Sequence, residues 1–329
     1  MKESGVEADV TAAFDINSVA NECYEHNFPH LKVTRVNIEH LPVEYFDKLS
    51  VDGWLMSPPC QPYTRGGKLL DAEDPRARGF LYLTSVLGQM TKPPSYVFIE
   101  NVLNFEVSQC HKAFMQVLSL RGYQVHEFLV CPSDPFVGIP NDRLRYYLIA
   151  YKAEEAKVSG HIFKSFAEFF NTCPRIKEDL RVETRELSNI GNYLRGSEND
   201  NAKYAVPMKY LTDYINYRHD IVNAESTRST TFTKAYGSKH IIGTGSFLQT
   251  KRLDQVYEPD DREVLPTLGL RFFSPFEIGL LHAFPMEDGQ FKFPAKINDA
   301  QRYRLLGNSL NVRVVALLFR ILFNLGDSI

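Results

Sequence analysis

The sequence predicts an α/β protein with a doubly wound, mostly parallel sheet and a second, smaller and irregular domain. Short apolar runs alternate with longer amphipathic segments in the first half of the chain, which is typical of βαβ units. From about residue 227 to residue 293, turn residues are frequent and regular alternation is poor. The chain has 329 residues, enough for two domains.

Three apolar runs in the first half are predicted strands, at residues 10–14, 54–56 and 96–99. Helices are predicted over residues 17–27 and 79–91. The runs lead to Asp15, Cys60 and Glu100. Ligands of an open α/β sheet bind at the carboxyl ends of its strands, so all three residues are candidates for a ligand site. Because the carboxyl ends of neighbouring parallel strands meet at one edge, we expect the Cys60 and Glu100 side chains to share a rim.

Later segments complete the predicted sheet. Residues 124–131 and 145–151 are predicted to form a β-hairpin that closes it, and residues 312–325 form an apolar helix buried against it. The chain therefore leaves the α/β domain, builds the smaller one and returns. The predicted boundaries are residues 1–153 plus 298–329 for the α/β domain and 154–297 for the smaller domain.

Composition limits the function classes. With 37 Lys and Arg against 40 Asp and Glu, the net charge is −3, so nucleic acid would be bound only through local basic patches. Five cysteines without a C-x-x-C spacing argue against a disulfide framework or a zinc site. No apolar run approaches the roughly 18 residues of a membrane span, and the N-terminus lacks a signal-peptide pattern. We expect a cytoplasmic or nuclear protein with no metal and no membrane contact.

Cys60 stands in an unusual setting. A free cysteine is most often a small buried hydrophobe, but Pro58 and Pro59 stiffen the chain before this one, and the following loop contains Arg65 and Lys68. Nearby positive charge favours the reactive thiolate. A thiol that attacks and an acid that donates a proton form a workable pair.

The possible partners of Cys60 each have a simpler interpretation. Glu100, 40 positions later, could be a solvated strand end or a helix cap. Arg143 and Arg145 are two apart and would share one strand face, either as a solvated edge or as a contact to an anion or base. The segment 307–309, Gly-Asn-Ser, is either helix N-cap chemistry or a polar ligand site with free backbone N–H groups.

Read together, these segments resemble the cytosine-5 methyltransferase family. The motifs that carry the resemblance are Ser57-Pro58-Pro59-Cys60-Gln61-Pro62, Glu100-Asn101-Val102, Arg143-Leu144-Arg145 and Gly307-Asn308-Ser309-Leu310-Asn311. Flanking segments, among them residues 27–30 and 301–307, resemble the tRNA-directed branch, whose members act on tRNA-aspartate. One departure is Thr231, where that branch usually has cysteine.

The resemblance implies a mechanism and a set of site residues. The Cys60 thiolate adds to carbon 6 of cytosine, Glu100 acts at ring nitrogen 3, and carbon 5 takes the methyl group of S-adenosylmethionine. Arg143 and Arg145 hold the base or the adjoining backbone. The implied cofactor residues are Asp15, Ile16, Ile38, Pro58, Asn308 and Ser309. The implied substrate residues are Arg65, Lys68, Arg76, Arg78 and Asn101. The implied partner is the anticodon loop of tRNA, with DNA as the alternative, and we expect the chain to be a monomer.

One family element is not found in the sequence. The glycine-rich cofactor loop should precede the acid by roughly 20 residues, but only 14 residues precede Asp15, and Gly5 is their one glycine. We therefore expect a truncated isoform or an incomplete gene model with impaired cofactor binding. The alternatives to a tRNA methyltransferase are a DNA cytosine-5 methyltransferase and a non-catalytic protein that binds nucleic acid.

Overall fold

The computed structural model describes residues 2–63, 71–156, 158–212, 218–257 and 263–327. Its strands are β1 Ala13–Phe14, β2 Val33–Thr34, β3 Gly53–Met56, β4 Tyr96–Val102, β5 Tyr123–Val130, β6 Arg145–Lys152, β7 Val158–Phe163, β8 Ile221–Val222 and β9 Phe247–Leu248. Its α-helices are α1 Ser18–Asn27, α2 Val43–Leu49, α3 Arg78–Gln89, α4 Gln109–Leu120, α5 Phe166–Thr172, α6 Pro174–Leu180, α7 Glu198–Asn201, α8 Met208–Thr212, α9 Pro275–Leu281, α10 Asp299–Gly307 and α11 Val312–Asp327.

The central sheet contains five strands in the order β3-β4-β6-β5-β7. The pairs β3–β4 and β5–β7 are parallel, whereas β6 is antiparallel to both of its neighbours. All of these strands except β6 therefore run in one direction, which confirms the predicted mostly parallel sheet. The predicted hairpin of β5 and β6 is present, but it does not close the sheet, because β7 pairs with β5 and forms the edge.

The first two strands form a separate sheet. Ala13 pairs with Val33 and Phe14 with Thr34, in parallel. In the described part of the chain this ladder is not joined to the central sheet. In the described residues, sheet pairing therefore does not place Asp15, which follows β1, beside Cys60 and Glu100.

Both faces of the central sheet are covered. On one face of β4, Val97 and Ile99 are fully buried in a core cluster that also contains residues of α3 and α4. On the other face, the ring of Phe98 lies 5.0 Å from that of Phe319 in α11. Each buried side chain of this size stabilises the fold by about 1.5–3 kcal/mol, and helices on both faces give the predicted doubly wound architecture.

The predicted C-terminal helix is confirmed as α11, whose residues Val314, Leu318, Ile321 and Leu322 are fully buried. The stretch Asp299–Gly326, which includes α11, is long and apolar enough to cross a membrane by length and composition. The expectation that no such stretch exists is therefore corrected. In this structure 56% of the window is buried, as in the core helix of a globular protein.

The chain forms two compact units. The first comprises residues 1–131, 144–183 and 314–329, and the second comprises residues 132–143 and 184–313. These boundaries differ from the predicted ones, because β7, α5 and α6 belong to the first unit and α10 belongs to the second. The pairing of β7 with β5 explains the first difference. The assignment of a catalytic and a target-recognition domain remains a prediction.

Candidate active site

The ends of β3 and β4 bring two parts of the predicted site to neighbouring strands. Met56, the last residue of β3, pairs with Ile99 of β4, so the next position on each strand holds Ser57 and Glu100. Glu100 lies within β4 rather than after it, and it is only 7% exposed. The Ser57 hydroxyl donates a hydrogen bond of 2.6 Å to Glu100 Oε2. A carboxylate in such a place needs partners because burial of an unpaired charge is costly.

Cys60 is half-buried and sits at the start of a short turn. The backbone N–H of Tyr63 donates to the Cys60 carbonyl at 3.0 Å. Tyr63 is 3% exposed, and its ring packs edge-on against Phe105 with centroids 5.1 Å apart. Its hydroxyl is hydrogen-bonded to the Cys110 thiol, at the start of α4. The turn that carries Cys60 is therefore anchored in the core at its far end.

The buried thiol of Cys110 differs from that of Cys60 in its surroundings. Burial raises the pKa of Cys110 to about 11, and burial together with the Cys110 hydrogen bond raises the pKa of Tyr63. Cys110 is fully buried. Both groups therefore stay protonated near neutral pH, and Cys110 serves as a hydrogen-bonding anchor rather than a nucleophile.

Asp71 provides a second anchor on the same helix. Its carboxylate accepts hydrogen bonds from the backbone N–H groups of Gln109, at 2.6 Å, and of Cys110, at 3.4 Å. These N–H groups belong to the first turn of α4, where a negative charge is favourable. Asp71 adopts a left-handed conformation with φ of 49°. The predicted substrate residues Arg65 and Lys68 lie outside the described residues, in the segment between Tyr63 and Asp71.

Arg76 is the predicted substrate residue with a direct electrostatic link to Cys60. Asp74 is 2% exposed and binds Arg76 through two hydrogen bonds, Nε to Oδ1 at 2.8 Å and Nη2 to Oδ2 at 2.6 Å. The hydrogen bond to Asp74 raises the pKa of Arg76, and the charge of Cys60 acts in the same direction. Arg78 is exposed at the start of α3.

Arg145 is the cation beside Glu100. Its Nε atom lies 3.6 Å from Glu100 Oε1, so the two oxygens of the carboxylate have different neighbours. Asn101, predicted to contact the substrate, is instead 1% exposed. Its Nδ2 donates to the Pro58 carbonyl at 3.3 Å, and its Oδ1 accepts from Val102 N–H at 2.8 Å. These bonds hold Pro58 against β4, so Asn101 has a structural role in this part of the site.

Arg143, in the second unit, has a different position and different contacts from those predicted. It precedes β6, so the spacing of two residues does not place it on one strand face with Arg145. Arg143 is 2% exposed, and its guanidinium donates to the carbonyls of Phe232, Gly307 and Ser309. A guanidinium committed to backbone carbonyls holds loops together. These contacts indicate a structural role rather than the predicted contact with the base.

The segment at residues 307–309, also in the second unit, ends a helix rather than opening one. Asn308 N–H donates to the Arg304 carbonyl at 3.2 Å, and Ser309 N–H donates to the Leu306 carbonyl at 3.0 Å. The Ser309 hydroxyl donates to the same Leu306 carbonyl at 2.8 Å. The expected free backbone N–H groups are therefore occupied, and Asn311 caps the first turn of α11. The exposed Asn308 side chain remains a predicted cofactor contact.

The first two predicted cofactor residues, Asp15 and Ile16, directly follow β1. Asp15 is exposed, and its Oδ1 accepts a hydrogen bond of 2.7 Å from Asn17 N–H, which orients the carboxylate. The adjacent Ile16 is 75% exposed. An oriented carboxylate beside an open apolar surface fits the ribose hydroxyls and ring of a nucleoside cofactor. Ile38 is half-buried and packs towards Gly79 of α3, and the Pro58 carbonyl is occupied by Asn101.

The described residues contain no cluster of His, Cys, Asp and Glu that could hold a metal ion. Sequence reasoning missed the supporting residues of the site, which are Ser57, Tyr63, Asp71 and Asp74. The contact of Ser57 could have been predicted, because pairing the predicted strands in parallel with their ends aligned places Ser57 opposite Glu100. For Tyr63 and Asp71, the contacts depend on where α4 begins, which no local pattern reveals. The contact of Asp74 with Arg76 is local, because Asp74 caps the short helical turn that contains Arg76.

Comparison with known proteins identifies a family that the chain is similar to. The family model described as C-5 cytosine-specific DNA methylase matches residues 2–324. A tRNA (cytosine(38)-C(5))-methyltransferase of Rattus norvegicus is 39% identical over 377 residues, covering 98% of this chain and 95% of that protein. A DNA (cytosine-5)-methyltransferase of Dictyostelium discoideum is 35% identical over 349 residues, covering 98% and 90%.

A solved structure leads to the same family. The crystal structure of a Spodoptera frugiperda DNMT2 mutant matches with a TM-score of 0.78 and 36% identity, covering 98% of this chain and 94% of that one. This match confirms the predicted fold class of a methyltransferase dependent on S-adenosylmethionine. The chain therefore belongs to the C-5 cytosine-specific methyltransferase family, whose enzymes transfer a methyl group from S-adenosylmethionine to carbon 5 of cytosine.

Proposed function

We propose that this chain methylates carbon 5 of a cytosine in tRNA through a covalent adduct with Cys60. The observation that carries the proposal is the placement of Glu100 in β4, beside the strand β3 that leads to Cys60. The relative from Rattus norvegicus is named for cytosine 38 of tRNA. We extend that position to this chain, with tRNA-aspartate as the species that the sequence resemblance implies.

The first chemical step forms a bond between Cys60 and the base. The Cys60 thiolate donates an electron pair to carbon 6 of cytosine, and the electrons of the carbon 5–carbon 6 double bond become available at carbon 5. Glu100 shares its proton with ring nitrogen 3, so that the charge developing on the ring is neutralised. Arg145 lies on the other oxygen of Glu100 and fixes the carboxyl group from that side.

The second step places the methyl group and releases the enzyme. S-adenosylmethionine, when bound, supplies the methyl group to which carbon 5 forms its new bond. Carbon 5 then loses its proton to a base, the carbon 6–sulfur bond breaks, and the double bond returns. Asp15 would hold the ribose hydroxyls of the methyl donor, and Ile16 would cover its apolar side.

The basic side chains beside the site would bind the nucleic acid backbone. Arg78 is exposed, and the guanidinium of Arg76 is about half exposed while Asp74 fixes its direction. Such a patch is local, as the net charge of −3 requires. The base must also leave its stack, and an anticodon loop lowers that cost by a few kcal/mol relative to a duplex.

Bisulfite sequencing tests the substrate. Transfer RNA and genomic DNA are incubated with the protein and S-adenosylmethionine, and the Cys60→Ala variant serves as the control. We expect cytosine 38 of tRNA to become resistant to conversion with the wild-type chain only. Resistance confined to DNA would instead support a DNA methyltransferase, the function in the name of the Dictyostelium discoideum relative.

A third outcome has its own meaning. If both nucleic acids remain fully convertible while calorimetry shows micromolar binding of S-adenosylhomocysteine and of tRNA, the chain binds without methylating. That result would overturn the proposed activity. Failure to bind S-adenosylhomocysteine would instead support the expectation of impaired cofactor binding.

A further inference from the structure

We propose that Ser57 is a positioning residue that holds Glu100 in its reactive orientation throughout the reaction. The inference rests on the proposed function, because it concerns the carboxyl group that acts on the cytosine ring. Ser57 belongs to the segment between β3 and Cys60, and its hydroxyl donates to Glu100 Oε2 at 2.6 Å. The other side of the carboxylate faces Arg145, 3.6 Å from Oε1.

The hydrogen bond is built into the sheet. Met56 and Ile99 are paired in the parallel ladder, and Ser57 and Glu100 are the next residues on the same two strands. The Ser57 side chain therefore reaches Glu100 from a fixed neighbouring backbone. The bond is short for a hydroxyl donor and a carboxylate acceptor, as expected where the acceptor is charged. Glu100 is 7% exposed, whereas Ser57 is exposed, so the buried carboxyl group is held by this hydroxyl and by Arg145.

Ser57 has a property that Arg145 lacks. A guanidinium only donates hydrogen bonds, whereas a hydroxyl both donates and accepts. When Glu100 is ionised, Ser57 donates to it. When Glu100 carries a proton, the Ser57 oxygen can accept and the carboxyl group keeps a partner. Glu100 exchanges one proton with ring nitrogen 3 during the reaction, and Ser57 gives up no proton overall, so its task is orientation.

Other contacts hold the backbone of this segment without the Ser57 hydroxyl. Asn101 Nδ2 donates to the Pro58 carbonyl at 3.3 Å, and the Tyr63 N–H donates to the Cys60 carbonyl at 3.0 Å. Removing the hydroxyl should therefore release the Glu100 carboxyl group and leave the loop in place. This separates a positioning role from a structural one.

The test compares Ser57→Ala with the conservative Ser57→Thr, which keeps a hydroxyl. Ser85→Ala is the matched control, because Ser85 is an exposed serine on α3 whose hydroxyl accepts from Gln89. The measurements are kcat and KM for tRNA, tRNA affinity, Tm, and the rate at which tRNA containing 5-fluorocytosine becomes covalently trapped. The wild-type chain is assayed first on tRNA and DNA, and the nucleic acid that it methylates is used throughout.

We expect Ser57→Ala to lower kcat and the trapping rate on the order of 10- to 100-fold, the range for a lost hydrogen bond to a charged group. KM, tRNA affinity and Tm should remain those of the wild type. Ser57→Thr should recover most of the rate, and Ser85→Ala should match the wild type.

Three results would overturn the proposal. These are a kcat for Ser57→Ala within twofold of the wild type, a loss that follows Tm or KM rather than kcat, and a Ser57→Thr variant as slow as Ser57→Ala. If the wild-type chain methylates neither nucleic acid, the proposed function fails, and this proposal fails with it.

Discussion

The two units each contain a buried glutamate beside an arginine, and the pairs differ in how fully the carboxylate is satisfied. In the second unit, Glu277 is fully buried and Arg271 binds it with hydrogen bonds of 2.8 and 2.7 Å. Backbone N–H groups of Ser274 and Arg195 add bonds of 2.7 and 3.1 Å. In the first unit, Glu100 receives the Ser57 hydrogen bond and a looser approach by Arg145 at 3.6 Å.

The difference separates a structural pair from a reactive one. Glu277 has donors on both oxygens, so it has little capacity left for a ligand and a high cost if its partner is lost. Glu100 retains acceptor capacity, and its partners hold it without saturating it. We therefore infer that Glu100 contributes to the rate of methylation and that Glu277 contributes to the stability of the fold.

Glu100→Gln carries the largest expected effect on rate. Glutamine keeps the shape of the side chain but cannot supply a proton, so we expect kcat to fall by about 10²- to 10⁴-fold, the usual contribution of a general acid. The unfolding free energy should change little. Single-turnover methylation and urea unfolding measure the two quantities, and a large loss of stability with normal turnover per folded molecule would contradict the assignment.

Glu277→Gln should have the opposite profile. It leaves the Arg271 guanidinium buried opposite a neutral amide, and breaking such a pair costs about 3–5 kcal/mol of unfolding free energy. The double variant Arg271→Met with Glu277→Leu should recover much of this stability because no charge is left behind. Urea unfolding gives the stabilities. A fall in kcat of the remaining folded enzyme comparable with that of Glu100→Gln would break the comparison.

His126 is a third kind of group, a half-buried imidazole that lies against Tyr151, Phe163 and Phe169. Burial lowers its pKa from 6.5 to about 4. The pKa of His126 is lower in the folded chain than in the unfolded chain, so the unfolded chain binds a proton more readily. The contribution of neutral His126 to the free energy of unfolding is therefore complete above pH 6.5 and is lost as the pH falls towards 4. Between pH 7 and pH 4.5, the free energy of unfolding should fall by roughly 2–3 kcal/mol less in His126→Phe than in the wild type.

Urea unfolding at several pH values measures this loss. The exposed His30, changed to phenylalanine, is the control and should leave the pH dependence unchanged. An acid loss of stability identical in His126→Phe and the wild type would show that other groups cause it.

Tyr63→Phe carries the smallest effect. The change removes the hydrogen bond to Cys110 but keeps the ring packed on Phe105. A neutral hydrogen bond contributes about 1 kcal/mol, so we expect kcat to fall by up to about tenfold through a less well-fixed Cys60 turn. Tyr82→Phe, which removes a hydroxyl bonded to the Leu41 carbonyl, is the matched control. Equal kcat losses in both variants would argue against a specific role for Tyr63.

Local patterns in the sequence predicted much of the fold. The helix at residues 17–27 is confirmed as α1 because its cap is local, with Asn17 accepting from Val19 and Ala20 N–H. The strand β7 was missed because it depends on long-range pairing with β5, and its sequence contains Gly160. Short β1 and β2 pair only with each other in the described part of the chain, which no apolar run could indicate.

In the candidate site too, the sequence predicted the residues that local motifs identify and missed the features that depend on the folded structure. Motifs identified Cys60 and Glu100, whose residue types carry the chemistry. Asn101 belongs to the Glu100 motif and Arg143 to the Arg143-Leu144-Arg145 motif, yet both are buried and bonded to backbone groups. Residue type and spacing do not reveal burial. The Ser57 contact follows from the register of two strands, which is a property of the sheet.

The central claim is that Cys60 bonds to carbon 6 of the target cytosine, and peptide mapping of a trapped complex tests it most directly. The protein is incubated with S-adenosylmethionine and tRNA containing 5-fluorocytosine, then digested and analysed by mass spectrometry. The account predicts one modified peptide, carrying the methylated fluorinated base on Cys60, and no adduct with Cys60→Ala. An adduct on Cys23, Cys110, Cys131 or Cys173, or methylation of unmodified tRNA by Cys60→Ala, would contradict it.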